Sequence, residues 1–189
     1  MPYMTIDEDI ISMKLKFERL QNEDLAQYKA DMQEAFQLGA KESGYSECNE
    51  QVLPEKDIDH SLLKKGAVAY KAMMGNQIVG GAIVVVNKIE QSGYLDFLYV
   101  KHGMQGQGIG KFMWFSIESL YPDIAVWKTC TPYLEKRNIH FYVNVCHFHV
   151  VEFFNAHHKD PNEPENFTEE NFEMFEFMKR IEHNKNGKG

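Results

Sequence analysis

The chain has 189 residues, 43% of them hydrophobic and 13% aromatic, with 28 acidic and 20 basic residues and a formal charge of −8. That length and apolar content suit one domain with a sizeable core and exclude a disordered chain. The acidic balance argues against a general nucleic-acid binder, which needs a basic face. No apolar run approaches the roughly 18 residues that cross a bilayer; the longest, Ile78 to Val86, is interrupted by Gly80 and Gly81. The first dozen residues include Asp7, Glu8 and Asp9, with no basic stretch ahead of an apolar one, and do not read as a signal peptide. Cys48, Cys130 and Cys146 are odd in number and lack C-x-x-C spacing. Reduced thiols in a cytoplasm, with no membrane partner, are the expectation.

Met13 to Leu20 alternates Leu15 and Phe17 with charges and reads as an opening strand. Asn22-Glu23-Asp24 supplies a helix start, and Leu25, Tyr28, Met32 and Phe36 carry the helix to about Leu38. The segment Gly39 to Gly66 has no clear periodicity, although Ile58 to Lys65 suits a helical turn or two. Ala67 to Met74 and Gln77 to Val86 are strand-like and meet at Gly75-Asn76, a pair that tolerates the positive φ of a tight hairpin. Glu90 to Gly93 turns the chain into a further strand, Tyr94 to Val100.

From Ile109 a helix is predicted, with Phe112, Met113, Ile117 and Leu120 at spacings of three and four. Ile124 to Thr129 returns as a strand, and Thr131-Pro132 opens a helix over Leu134 to Val145. Phe148 to Phe154 and Phe172 to Met178 form a closing pair of strands, joined by a polar loop. The order is mixed α/β: one domain over 1–182, with a mostly antiparallel central sheet flanked by helices, and a disordered tail over 183–189. The aromatic closing strand, with Phe172, Phe175 and Phe177, offers a surface on which a homodimer would pair.

The strand Tyr94 to Val100 hands over to the helix through Gln105-Gly106-Gln107-Gly108-Ile109-Gly110-Lys111. A helix start presents N–H groups without internal partners and the positive end of a macrodipole. Glycines let an anion approach them, and an anion cradle, best suited to a pyrophosphate, is the physical reading. A purely steric glycine turn is the alternative. The dinucleotide fingerprint beginning at Gly106 would need glycine at Lys111. The G-x-x-x-x-G-K-[ST] loop would need glycine at Gln105 and a hydroxyl at Phe112. The pattern [QR]-x-x-G-x-[GA] is met by Gln105, Gly108 and Gly110, and here the stretch resembles the acyl-CoA pyrophosphate loop of the GNAT family of N-acetyltransferases. The order of elements matches that family over almost the whole chain.

Asn138, Phe141, Tyr142 and Val145 stand at i, i+3, i+4 and i+7 of the later helix and share one face. Asn among Phe and Tyr suits a half-polar channel better than a core or a solvated surface. The arrangement is similar to the family's N-x-x-[FY]-Y-x-x-x-G-F motif, with one extra residue between Tyr142 and Phe148 and His147 in place of the usual Gly. The resemblance implies that Asn138 bonds the cofactor arm, with Phe141 beside it, and that Tyr142 is the acid for the departing thiolate. A core tyrosine is the alternative.

An acceptor ammonium must lose a proton before it attacks a thioester. Asp96 is the candidate base, on a strand face expected to hold Tyr94, Asp96, Leu98 and Val100 by alternation; a substrate anchor or a structural carboxylate are its alternatives. The resemblance further implies main-chain bonds from Leu98 and Val100 to the pantetheine arm. It also implies acetyl-CoA as cosubstrate without a metal, and the acyl-CoA N-acyltransferase fold. His147, His149, His157 and His158 are read as ordinary histidines. A small, cationic primary amine is the expected acceptor, from the charge of −8 and the acidic segment Glu42, Glu47, Glu50, Glu55, Asp57 and Asp59. A non-catalytic acyl-CoA-binding module on the same scaffold is the rival.

Overall fold

The computed structural model describes residues 15–44, 51–161 and 173–182. Met13, Lys14, Cys48, Glu47, Glu50, Phe172 and the 183–189 tail lie outside the described residues. Strands β1 (Leu15–Arg19), β2 (Ala67–Met74), β3 (Gln77–Asn87), β4 (Ser92–Val100), β5 (Val126–Pro132), β6 (His149–Phe154) and β7 (Met174–Arg180) form one sheet. Their order is β1-β2-β3-β4-β5-β7-β6. Every neighbouring pair is antiparallel except β4 with β5. The helices are α1 (Leu25–Glu42), α2 (Glu55–Leu63), α3 (Ile109–Leu120) and α4 (Lys136–His140). This is the mixed, mostly antiparallel α/β architecture that the pattern of elements predicts. No helix among the described residues is long and apolar enough to cross a membrane.

Helices α1, α2 and α3 each bury an apolar stripe. Tyr28 and Met32 of α1 and Ile58 of α2 pack with Ile83 and Tyr99 on one face of the sheet. Trp114 and Ile117 of α3 pack on the other, with Val84, Leu95, Trp127, Phe148 and Phe177. Helix α1 runs four residues past the expected Leu38, through Gly39 to Glu42. The stop is Gly44, at φ +78°, where the left-handed backbone ends a helix without a Cβ penalty.

Two irregularities shape the centre. Ile83 pairs with Phe97 and Val84 with Leu95, so Asp96 is an extra residue in β4, a β-bulge. Regular pairing of β4 with β5 covers only Ser92–Tyr94 against Val126–Lys128. The Thr129 hydroxyl then donates to the Leu95 carbonyl at 2.9 Å. From there the two strands part, and β5 continues against β7 as far as Pro132.

The helix expected over Leu134 to Val145 is shorter and composite: α4 passes into a π-helical turn over Phe141–Val145. Its wide hydrogen bond runs from Cys146 N–H to Phe141 C=O at 2.9 Å. The turn absorbs the extra residue between Tyr142 and Phe148, and His147 makes the stop at φ +63°, where glycine is preferred. His147 is exposed, so relief of backbone strain dominates its replacement. His147→Gly is expected to stabilise the fold by about 1 kcal/mol in a denaturant titration.

The sheet's edges differ. β1 carries Lys16, Glu18 and Arg19, charges that discourage strand pairing. β6 leaves Val150, Val151 and Phe153 exposed. Phe177, expected to face a partner chain, is fully buried, and Phe175 packs against Tyr133 and Phe153. Among the described residues of β6 and β7, the large apolar side chains left exposed are Val150, Val151 and Phe153 of β6.

Candidate active site

The site forms where β4 and β5 diverge. Lys101 N–H bonds Val79 C=O at 2.9 Å, which fixes the antiparallel alternation at the end of β4. The main-chain groups of residues 97, 99 and 101 therefore face β3, and those of Leu98 and Val100 face the opening towards β5. The side chains of Leu98 and Val100 pack near Ile109 and Met113, so only their backbone is free for a ligand.

At the mouth, α3 begins from Gly108, left-handed at φ +76°; Gly106 is left-handed too, and a Cβ on either would meet nothing within 4 Å. The first helical bond runs from Phe112 N–H to Gly108 C=O, so the N–H groups of Ile109, Gly110 and Lys111 precede it and form the helix's open positive end. Not every residue of the loop contributes a side chain. Gln105 accepts from Gly103 N–H at 2.9 Å and braces the turn. Ile109 is core, 1% exposed. Gln107, Gly108 and Lys111 line a groove of about 580 Å³ between β1 and α3. Gly110 turns towards the opening instead: a Cβ there would sit 3.2 Å from the Phe141 ring and 3.7 Å from Val100 Cγ2.

Asn138 and Tyr142, one helical turn apart, meet Thr131 and Thr129, two residues apart on β5. Asn138 Nδ2 donates to Thr131 Oγ1 at 3.2 Å, and the Tyr142 hydroxyl lies beside Thr129. Val145, expected on the same face, is carried out of that register by the π turn. Tyr142 lies at the vertex of the opening, packed on Phe148 and Phe177. Burial raises its phenol pKa above the ordinary tyrosine value. It therefore holds its proton at neutral pH, and more tightly than a free phenol does.

The bulge overturns the expected face of β4. Leu98 and Val100 face α3, whereas Asp96 turns to α2 and Tyr94 to Cys130. Asp96 Oδ2 accepts from Ser61 Oγ at 2.5 Å and from Lys64 Nζ at 2.6 Å. The Tyr94 hydroxyl lies beside the Cys130 thiol, whose pKa burial pushes up to about 11. Neither group is ionised at neutral pH; the carboxyl groups nearby are Asp96 and, across β5 and β7, Glu176. Across the mouth, Glu135 is buried and accepts from Ser43 Oγ at 2.9 Å, tying the end of α1 to the start of α4.

The sequence model of the acetyltransferase (GNAT) domain matches residues 27–141. The chain belongs to the GNAT acetyltransferase family. An uncharacterized Bacillus subtilis (strain 168) protein, YrkN, is 41% identical over 150 residues, 79% of this chain and 80% of its own. The Escherichia coli ribosomal-protein-S18-alanine N-acetyltransferase has a similar fold, with TM-score 0.65 and 13% identity over 93% of this chain and 99% of that one. So does the Vibrio cholerae spermidine N-acetyltransferase in complex with CoA and spermine, with TM-score 0.62 and 10% identity over 89% and 96%.

Within this GNAT fold the helix start, the free edge of β4 and the Asn138–Tyr142 face surround one opening, and Asp96 lies on the α2 side of its vertex. Residues missed by sequence reasoning are Thr129, Thr131, Ser61, Lys64 and Glu135. The threonines left a signal: with Trp127 they alternate along β5 as its buried side, where a hydroxyl needs a partner. Of the histidines, His158 pairs with Glu152 at 2.9 Å, an acidic partner that spacing did not suggest. If the helix start holds a pyrophosphate, Gly108→Val should weaken acetyl-CoA binding at least about tenfold in calorimetry. The same change should cost about 1–2 kcal/mol of stability, through positive φ rather than a clash. Unchanged affinity in the folded variant removes the cradle.

Proposed function

We propose that this GNAT acetyltransferase moves an acetyl group from acetyl-CoA to a small primary amine, directly, in a ternary complex. The observation that carries the reading is the parting of β4 from β5 at the Leu95–Thr129 bond, with Tyr142 at its vertex and a glycine helix start at its mouth. The pyrophosphate would lie on the N–H groups at residues 108–111. The pantetheine would bond the backbone of Leu98 and Val100, with Asn138 and Phe141 along its other side. Asp96 takes a proton from the acceptor ammonium, directly or through one water. The neutral nitrogen attacks the thioester carbon, and backbone N–H groups of β4 stabilise the oxyanion. The C–S bond breaks as Tyr142 gives its proton to the leaving thiolate, and the second proton that nitrogen sheds as the amide forms returns to the phenolate, directly or through water. A metal has no part in this scheme.

The acceptor is proposed to be cationic. The net charge of −8 supports this, as does the fold's likeness to a spermidine N-acetyltransferase. The acidic segment contributes less than its composition implied. Glu55 and Asp59 hold Lys29, and Glu42 lies 3.6 Å from Arg137. Thiol release from acetyl-CoA with spermidine, glucosamine and a neutral amine of similar size tests both levels. No release with any amine leaves a non-catalytic acyl-CoA-binding module. Where spermidine is used, its advantage over the neutral amine should shrink between about 0.05 and 0.5 M salt, as the screening length falls about threefold. Equal preference at both salts means that charge does not select the acceptor.

A further inference from the structure

Asp96 belongs to β4, yet its geometry is set from α2 and the turn behind it. Two donors converge on one carboxylate oxygen: Ser61 Oγ at 2.5 Å and Lys64 Nζ at 2.6 Å, both on Oδ2. Among the described residues no donor approaches Oδ1. The Asp96 side chain is 5% exposed and Ser61 2%, whereas the Lys64 side chain is 41% exposed. Exposed ion pairs fix little, because both chains move and water competes. This carboxylate is buried, so it cannot turn without losing both partners to a place where water does not replace them.

Lys64 is itself anchored. Its N–H bonds Ser61 C=O at 3.2 Å and its C=O accepts from Ala67 N–H at 3.0 Å, at the first residue of β2. Between them Gly66 takes φ +87°, and a Cβ there would collide with the Val86 carbonyl of β3. Gly66 C=O in turn accepts from Val86 N–H at 3.0 Å. The turn carrying Lys64 is thus tied to two strands of the same sheet that carries Asp96. An ammonium needed only to neutralise a carboxylate requires no such frame, and the serine adds no charge at all.

We infer that Ser61 and Lys64 are positioning residues. They lock Oδ2 so that Oδ1 alone is presented to take the acceptor's proton, directly or through a water. The inference rests on the reading of Asp96 as the base. Lys64→Met keeps the length of the stem and removes the two-centre lock. It should lower kcat at least about tenfold, since a loss of about 1 Å in placement is enough for that. The acceptor KM and the acetyl-CoA Kd should stay within about twofold. Lys64→Arg, which restores one donor and the charge, should recover most of kcat. Ser61→Ala should lower kcat in the same direction.

The experiment measures kcat and KM for spermidine, glucosamine and Nα-acetyl-lysine amide in wild type, Lys64→Met, Lys64→Arg, Ser61→Ala and Asp96→Asn. Calorimetry with acetyl-CoA and a thermal melt accompany each. If Lys64→Met does not fold, Ser61→Ala and Lys64→Arg carry the comparison. A loss of kcat at constant KM with Arg rescue supports the inference. Inactive Asp96→Asn beside fully active Ser61→Ala and Lys64→Met overturns it and leaves the base standing. Fully active Asp96→Asn overturns both. A wild type inert toward all three amines overturns the transfer reading and the inference with it.

Discussion

Tyr142→Phe should lower turnover by about two orders of magnitude, the usual worth of a general acid, while acetyl-CoA binds almost as before. The hydroxyl sits where β4 leaves β5, beside Thr129, whose own hydroxyl donates to Leu95 C=O. Burial favours the neutral phenol, so the ring carries its proton before acetyl-CoA binds. The ring remains in the variant, and with it the packing on Phe148 and Phe177. The stability cost is at most that of one hydrogen bond, about 1 kcal/mol. Steady-state rates beside calorimetry separate the two effects. Undiminished turnover would return Tyr142 to the core.

The second large effect is on the fold. Gly81 lies on β3 opposite Tyr99, and a Cβ there would stand 2.8 Å from Tyr99 Cε1 and closer still to the ring of Tyr28. Those rings are 0% and 3% exposed and meet edge to face at 5.4 Å, so neither has a free direction in which to move. Gly81→Ala should destabilise by about 3 kcal/mol, the upper end for overpacking a core. In a chain of this size that is roughly 6–12 °C in melting temperature. A melt within two degrees of wild type, by the same scale, would mean that the tyrosines part without loss. Because Tyr99 stands between Leu98 and Val100, a shift of its ring would also disturb the free edge of β4.

The parts of the molecule governed by neighbours in sequence were legible. β2, β3 and their Gly75-Asn76 turn follow from alternation and a residue pair suited to positive φ. The run from β4 through Gly108 to α3 follows from a strand, a glycine stop and a helical stripe. What failed was the face of β4. In Tyr94 to Val100 every residue but Asp96 is apolar or aromatic, so hydrophobicity does not reveal that Leu95 and Leu98, three apart, lie on one side of the sheet. The extra residue of a bulge leaves no periodic trace in such a run. The partners of Asp96 and Tyr142 were illegible for another reason. Ser61 and Lys64 are more than thirty residues from Asp96, and Thr129 meets Tyr142 across two elements. Such pairs are products of topology. The Gln105 side chain and the position of Val145 answer to local geometry: one braces its own turn, the other sits in a widened helix.

That widened helix makes the segment behind Tyr142 a place where chain length is adjustable. One residue more is taken up between Phe141 and Cys146 as slack in the spiral, and Tyr142 upstream and Phe148 downstream both keep their seats against the same core. Removing one residue at Val143–Asn144 is expected to tighten the spiral to an ordinary turn, with Tyr142 and Phe148 still held by the core. The seat of Tyr142 is therefore expected to survive a one-residue change of length in this turn.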